Sequence, residues 1–230
     1  MAQLKRVIIT IDGPAGTGKS SAAAELAERL GLEVLDTGSM YRAATLVAIE
    51  NGIDIHNGEG LAQAVEEAHI GFDWQRQPPL IRIGERDVSE RIRELDISSA
   101  VSIVSAHKAI RDVMVHRQRE IAAAHPGLVT EGRDQGSVVF PNATARFFLA
   151  ADVGVRVKRR AHQMEEAGKS VAESAIRENI ESRDQIDTSR AEAPLRCPPG
   201  AIIVDTSKLS LAEVVDVLEK ESRAVLLSKK

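Results

Sequence analysis

The stretch Gly13-Pro-Ala-Gly-Thr-Gly-Lys-Ser20 decides how this chain is read. It fits the pattern G-x-x-x-x-G-K-S/T at every position. Polyphosphate is a dense negative charge that needs many short donors close together. Glycines let the backbone curl until successive N–H groups point inward. A helix that follows adds its free N–H groups and the positive end of its dipole. Lys19 is expected to reach the β- and γ-phosphates, and Ser20 to ligate Mg²⁺ through oxygen. The loop by itself says ATP or GTP. It does not separate a kinase from a motor or a switch, and a chance match in a glycine-rich turn is the bland alternative.

The flanks favour the loop. Arg6-Val-Ile-Ile-Thr-Ile11 is β-branched and reads as a buried strand, and Lys19 to Leu30 reads as a helix closed by Gly31. Further strands are expected at Glu33–Leu35, Leu128–Glu131, Ala145–Leu149 and Ala201–Val204. Helices are expected at Ser39–Asn51, Ser98–Ala124 with one possible break, Val155–Ser189 broken at Gly168, and Ser210–Ala224. Five short apolar strands separated by helices predict an α/β fold, a parallel five-stranded sheet covered on both faces. Ligands in such sheets bind at the carboxyl ends of the strands.

The segment 53–97 has a different texture, rich in Gly, Pro and Asn, and is expected as an inserted subdomain with a hairpin pairing Ile70–Trp74 with Leu80–Ile83. The region 155–190 is charge-dense and is expected as a helical, arginine-rich lid. Lys229-Lys230 is expected as a frayed tail.

Composition bounds the rest. The chain has 230 residues, enough for one domain with a sizeable core, and a net charge of −4 offers no general attraction for nucleic acid or anionic membrane. A single cysteine, Cys197, excludes an internal disulfide, and no apolar stretch approaches the ~20 residues that span a membrane. The start of the chain has no signal-peptide pattern, so a cytoplasmic location is expected. The histidines, His56, His69, His107, His116, His125 and His162, show no metal-ligand spacing.

Four further clusters stand out. Leu35-Asp-Thr-Gly-Ser-Met-Tyr-Arg42 follows a strand, and Arg42 at a helix start suits a phosphate clamp. The bland reading makes Thr37 or Ser39 an N-cap and Arg42 a surface charge. Glu131-Gly-Arg-Asp-Gln-Gly136 follows another strand and is either a ligand-facing loop or a plain turn. Ser102 and Arg111 lie nine residues apart, on a similar side of one continuous helix or merely on an exposed surface. The last cluster is Arg183-Asp-Gln-Ile-Asp-Thr-Ser-Arg190, with Arg156, Lys158, Arg159 and Arg160 upstream. Phosphoryl transfer needs positioning and cations more than covalent help, so a closing arginine arm suits it. A solvated helix paired to its own glutamates is the alternative.

Together these residues resemble the bacterial cytidylate kinase family, a branch of the P-loop nucleoside monophosphate kinases. The resemblance runs from Ile8 to the C-terminal helix. It rests on Ile11-Asp-Gly-Pro-Ala-Gly-Thr-Gly-Lys-Ser20, Leu35-Asp-Thr-Gly38 with Met40-Tyr-Arg42, Gly132-Arg-Asp134, Val138-Val-Phe-Pro141 and Arg183-Asp184 with Asp187 and Arg190. It implies transfer of the ATP γ-phosphate to CMP or dCMP with Mg²⁺, by a monomeric enzyme of pyrimidine nucleotide metabolism. ATP is expected against Gly13, Pro14, Ala15, Gly16, Thr17, Gly18, Lys19, Ser20 and Ser21, with Arg159 as a loosely matched lid contact. Arg42, Arg133 and Arg190 are expected to clamp the acceptor phosphate, and Ser102, Arg111 and Asp134 to read cytosine. Asp187 is expected on the sugar hydroxyls with Arg183 beside it, and Thr37 and Tyr41 in the same pocket. Lys19, Arg133, Arg183 and Arg190 carry catalysis in this reading. The base readers have a chemical logic: a carboxylate or hydroxyl accepts from the cytosine amino group, and arginine donates to its N3 and O2. Gln135 departs from the family, which has an apolar residue there. Two rival readings stay open: another P-loop small-molecule kinase, and a nucleotide switch without phosphotransfer.

Overall fold

The computed structural model describes residues 6–166, 168 and 171–228; residues 1–5 and the expected tail Lys229-Lys230 lie outside that set. In chain order the elements are β1 (Val7–Asp12), α1 (Lys19–Leu30), β2 (Glu33–Asp36), α2 (Thr37–Glu50), α3 (Gly58–Glu67), β3 (Ile70–Asp73), β4 (Leu80–Ile83) and β5 (Arg86–Asp87). They continue as α4 (Leu95–Ala106), α5 (Lys108–Ala124), β6 (Gly127–Gly132), β7 (Ala145–Ala150), α6 (Val153–Glu166), α7 (Glu173–Ser189), β8 (Ile202–Asp205) and α8 (Leu211–Ser228).

The main sheet has five strands in the order β2-β6-β1-β7-β8, all parallel. β1 sits at its centre because Ile9 and Ile11 face one layer while Thr10 and Asp12 face the other, and all four are fully buried. On one face Ile9, Ile11, Phe147 and Leu149 pack against Ala22 and Leu26 of α1 and Val215 and Leu218 of α8. On the other, Leu35 and Leu128 meet Met40, Leu46, Ile97, Ile110 and Met114 from α2, α4 and α5. Each fully buried aliphatic side chain of this size contributes about 1.5–3 kcal/mol. α6 and α7 carry a small cluster of their own, Val157, Ile176 and Ile180.

β1 is flanked by β6 on one side and β7 on the other, so the chain leaves its carboxyl end at a topological switch point, where a crevice opens. Gly13 makes the turn out of β1 at φ 145, and a Cβ there would sit 2.2 Å from the Leu149 carbonyl oxygen. Only glycine fits, so the first residue of the loop is dictated by the neighbouring strand.

The structure revises several expectations. The long helix is two helices, α4 and α5, parted at His107 (φ −69, ψ 127), whose Nε2 bonds the Ile55 carbonyl oxygen at 2.8 Å. Ser102 and Arg111 therefore sit on different helices rather than one. The stretch around Gly58 forms α3, because Leu61, Ala62 and Val65 make a buried stripe and Asn57 caps it by accepting from Gly60 N at 3.1 Å. The hairpin pairs in the register Ile70↔Ile83 to Asp73↔Leu80, and β5 adds a third antiparallel strand. Among the described residues no helix is long and apolar enough to cross a membrane.

Candidate active site

The loop 13–20 joins β1 to α1 at the carboxyl edge of the sheet. Gly18 takes φ 88 and lets α1 begin at Lys19 with no side-chain cap, so its first N–H groups stay open toward the loop. Lys19 is 6 % exposed, and its ammonium donates to the Pro14 carbonyl oxygen at 2.8 Å. Burial, with Arg133 adding repulsion, pushes Lys19 down to about 7. Arg156 clasps the loop from α6, donating to the Ala15 carbonyl oxygen at 3.1 Å and pairing with Asp184 at 2.7 Å. Thr206, after β8, ties the loop from the other side through the Thr17 carbonyl oxygen.

Register brings two carboxylates to the loop. Asp36 and Glu131 are neighbours across β2 and β6. Ser20 Oγ donates to Glu131 Oε1 at 2.8 Å. Burial, then the nearby Asp36, pushes Glu131 up to about 7. Serine hydroxyl and two crowded carboxylates are hard oxygen groups whose repulsion a cation relieves, so this corner fits Mg²⁺. The sequence reading assigned Ser20 to that role and passed over Asp36 and Glu131. Their only signal was that each closes a strand, and the pairing that joins them spans 95 residues. Asp36 also caps α2, accepting from Ser39 N at 3.0 Å, so neither Thr37 nor Ser39 is the cap. Thr37 instead donates to the Glu131 carbonyl oxygen at 2.7 Å.

Two cavities lie here. The first, about 230 Å³, is lined by Gly16, Gly18, Lys19, Ser20, Asp36 and Glu131, together with Arg160 of α6. The second, about 60 Å³, is lined by Thr37, Tyr41 and Arg42 of α2 and by Ser102 and Arg111 from either side of the His107 break. Arg133 and Asp134 after β6, and Asp187 and Arg190 near the end of α7, complete it. All nine residues expected on the acceptor thus meet in one place. Arg42, Arg133 and Arg183 line both cavities and form the wall between them. A larger cavity, about 740 Å³, runs between α1 and the Trp74–Pro79 hairpin tip, and of the expected residues it touches only Ser21.

Arg133 of the wall pairs with Asp187 at 2.8 Å, but the arginines around it are short of anions. Burial pushes Arg42, Arg160, Arg183 and Arg190 all downward, Arg183 to about 10 with Arg133 and Arg42 adding repulsion. Among the described residues none of these four has a carboxylate partner within 4.0 Å, and Arg183 Nε and Arg190 Nη2 are buried without a hydrogen-bond partner. Arg42 is held by Ser98 Oγ at 2.8 Å and the Ile92 carbonyl oxygen at 3.3 Å. Buried cations left unpaired cost stability unless a ligand completes them. The arrangement is a mould for phosphate on both sides of the wall. At its far end Arg111 pairs with Asp134, 4 % and 3 % exposed, and stands 5.8 Å over the Tyr41 ring. A buried planar donor beside a carboxylate suits one edge of a flat polar ring.

The cytidylate kinase family model matches residues 9–223. The chain belongs to the cytidylate kinase family. A cytidylate kinase of Nocardia farcinica is 40% identical over 220 residues, 96% of this chain and 95% of that one. A cytidylate kinase of Anoxybacillus flavithermus is 42% identical over 212 residues, covering 92% and 94%. A solved structure of an uncharacterized protein from Eubacterium ventriosum matches at TM-score 0.54 and 16% identity over 96% of this chain and 99% of that one, which speaks to the fold alone. As a member of the cytidylate kinase family the chain is a phosphotransferase, and the switch reading falls away.

Within this cytidylate kinase scaffold the structure places Arg159 away from the loop cavity. Its guanidinium is spent on Thr206 Oγ1 at 3.0 Å and the Thr206 carbonyl oxygen at 2.6 Å, because α6 turns that face toward the β8–α8 connection. Arg160, one residue on, faces the cavity instead. Lys19 gives a pH prediction. Its folded value near 7 lies below the ordinary 10.5, so between these two values the empty site holds it neutral while a bound polyphosphate favours the charged form. Binding of ATP without Mg²⁺ at pH 8 then takes up as much as about one proton. Calorimetry in buffers of different ionisation enthalpy reads this, and a buffer-independent enthalpy would contradict it.

Proposed function

We propose that this chain moves the γ-phosphoryl group of ATP to the 5′-phosphate of CMP or dCMP, giving ADP and CDP or dCDP. The observation that carries the reading is the shared arginine wall, with phosphate-loop cavity on one side and acceptor cavity on the other. In-line transfer needs donor and acceptor phosphates face to face with cations between them.

In this reading Lys19 and the loop N–H groups hold the donor phosphates. Arg42, Arg133 and Arg190 hold the acceptor phosphate, and Arg183 at the shared wall neutralises charge on the moving group. Asp187, bonded to Arg133 Nε at 2.8 Å, fixes that arginine and offers its remaining oxygen to the sugar. Mg²⁺, when bound, supplies charge neutralisation across the phosphate oxygens, held through Ser20 with Asp36 and Glu131 behind it. Asp134 and Ser102 accept from the cytosine amino group while Arg111 donates to its ring acceptors. Uracil reverses the pattern at two positions and leaves buried polar groups unpaired.

Segment 53–97 is the acceptor-side subdomain in this proposal. It lines neither cavity, and it touches the site through the Ile92 carbonyl oxygen on Arg42. Segment 155–190 is the lid, carrying Arg160, Arg183 and Arg190. A monomer acting in the cytoplasm, without nucleic-acid or membrane partners, completes the reading. A coupled assay of ADP release tests it: release is expected to depend on CMP, and release at an equal rate without CMP would return the chain to a plain nucleotide hydrolase.

A further inference from the structure

Two buried glutamines stand behind the base end of the acceptor cavity without lining it. Gln118 and Gln135 are both fully buried, at 0 % exposure. The backbone carbonyl oxygen of Gln135 accepts from Phe140 N at 2.7 Å, and three further bonds hold the residue. Its N–H donates to Asp12 Oδ1 at 2.7 Å, its Oε1 accepts from Thr130 Oγ1 at 2.9 Å, and its Nε2 donates to Gln118 Oε1 at 3.1 Å.

Position makes this contact informative. Gln118 lies on α5 seven residues after Arg111, two turns along the same face of the helix. Gln135 directly follows Asp134. The same two elements, α5 and the segment after β6, are therefore joined by the Arg111–Asp134 ion pair at the cavity and by the amide–amide bridge behind it, with Arg119 adding bonds to the Val138 and Val139 carbonyl oxygens farther along. Arg111 stands 5.8 Å over the Tyr41 ring, and Gln118 Nε2 is buried without a hydrogen-bond partner among the described residues.

The two bridges cannot serve the same purpose. Arg111 and Asp134 touch through one guanidinium nitrogen and one carboxylate oxygen, which leaves donors on Arg111 and an oxygen on Asp134 for a base entering the cavity. The rear bridge is shielded from the cavity and need not open. We propose that the Gln118–Gln135 bridge is a positioning pair that holds α5 and the 133–136 turn at fixed separation. Arg111 and Asp134 then keep their spacing when a base bonds them, and the bridge thereby sharpens the choice of cytosine over uracil. The inference rests on the acceptor-site reading above.

The test uses Gln118→Met, Gln135→Met and the double variant, which keep side-chain volume and remove the amide. Each single variant is expected to raise the KM for CMP about five- to tenfold and to narrow the CMP-to-UMP preference, with KM for ATP and kcat within about twofold. The double is expected to be no worse than the poorer single, since both ends of one bond are then gone. Unchanged CMP KM and unchanged CMP-to-UMP ratio in both singles, with only the melting temperature lowered, would overturn the proposal. So would effects that multiply in the double. If Gln135→Met fails to fold, Gln118→Met carries the same readouts, because it leaves the Asp12 and Thr130 contacts of Gln135 in place. Failure of the parent chain to phosphorylate CMP would strike the acceptor reading itself and is seen before any variant is made.

Discussion

Lys19→Ala lowers turnover by at least about 10²–10³-fold while the fold survives. The size follows from what Lys19 is held for. Its ammonium is buried, and among the described residues its one hydrogen bond is to a loop carbonyl oxygen, with no carboxylate within 4.0 Å. A charge kept out of water on so little support is costly, and burial accordingly pushes it down to about 7. The sign for stability follows. The unfolded chain binds this proton up to about pH 10.5 and the folded chain only up to about 7, so Lys19 opposes folding below that window and the penalty fades as pH rises through it. Removing the ammonium therefore relieves the native state at pH 7. The melting temperature of Lys19→Ala is expected to match or exceed that of the parent. Unfolding of the variant would make Lys19 structural, and retention of more than about a tenth of the turnover would remove it from the transition state.

Asp134→Ala has the second large effect, and it falls on the acceptor. Asp134 is 3 % exposed and faces Arg111, which is 4 % exposed. Truncation leaves that guanidinium buried without its partner, which costs about 3–5 kcal/mol in folding. In the proposed reading it also removes the acceptor for the cytosine amino group. The expected result is a fall in kcat/KM for CMP of about 10²-fold or more, a smaller fall for UMP, and ATP binding within about threefold. Asp134→Asn guards against simple unfolding: it keeps the volume and offers a carboxamide that can still accept one bond, so its loss is expected to be intermediate. Equal weakening of CMP and ATP in the folded variants would contradict base reading.

The parts of this site that were legible in the sequence are those fixed by local chemistry. The phosphate loop could be read because its glycines, lysine and serine act within eight consecutive residues. The strands could be read because runs such as Val7-Ile-Ile-Thr-Ile11 carry their burial in their composition. The parts that were hidden depend on partners far along the chain. The sequence allows for one break in the 98–124 helix but does not place it; it falls at His107, whose ring bonds the Ile55 carbonyl oxygen, 52 residues earlier. Asp36 and Glu131 meet only because β2 pairs with β6 rather than with β1, which precedes it. Whether Arg159 or Arg160 faces the phosphates turns on the rotation of α6, and Thr206 fixes that rotation by binding Arg159. Gln135 stood out as a departure from the family, but its meaning required Gln118 and Thr130 to be seen around it.

Arg42, Arg133 and Arg183 belong to both cavities, and burial pushes Arg42 and Arg183 downward with no carboxylate within 4.0 Å of either among the described residues. A site so arranged gains from two phosphorylated ligands at once, and the identity of the second rests on Ser102, Arg111 and Asp134. The most direct measurement is a panel of acceptors, CMP, dCMP, UMP, dTMP, AMP and shikimate, each offered with ATP and Mg²⁺ and compared by kcat/KM. CMP and dCMP are expected to lead the panel, with UMP at least about tenfold behind. UMP, dTMP or shikimate phosphorylated faster than CMP would contradict the assignment of the cytosine-reading residues and with it the central claim.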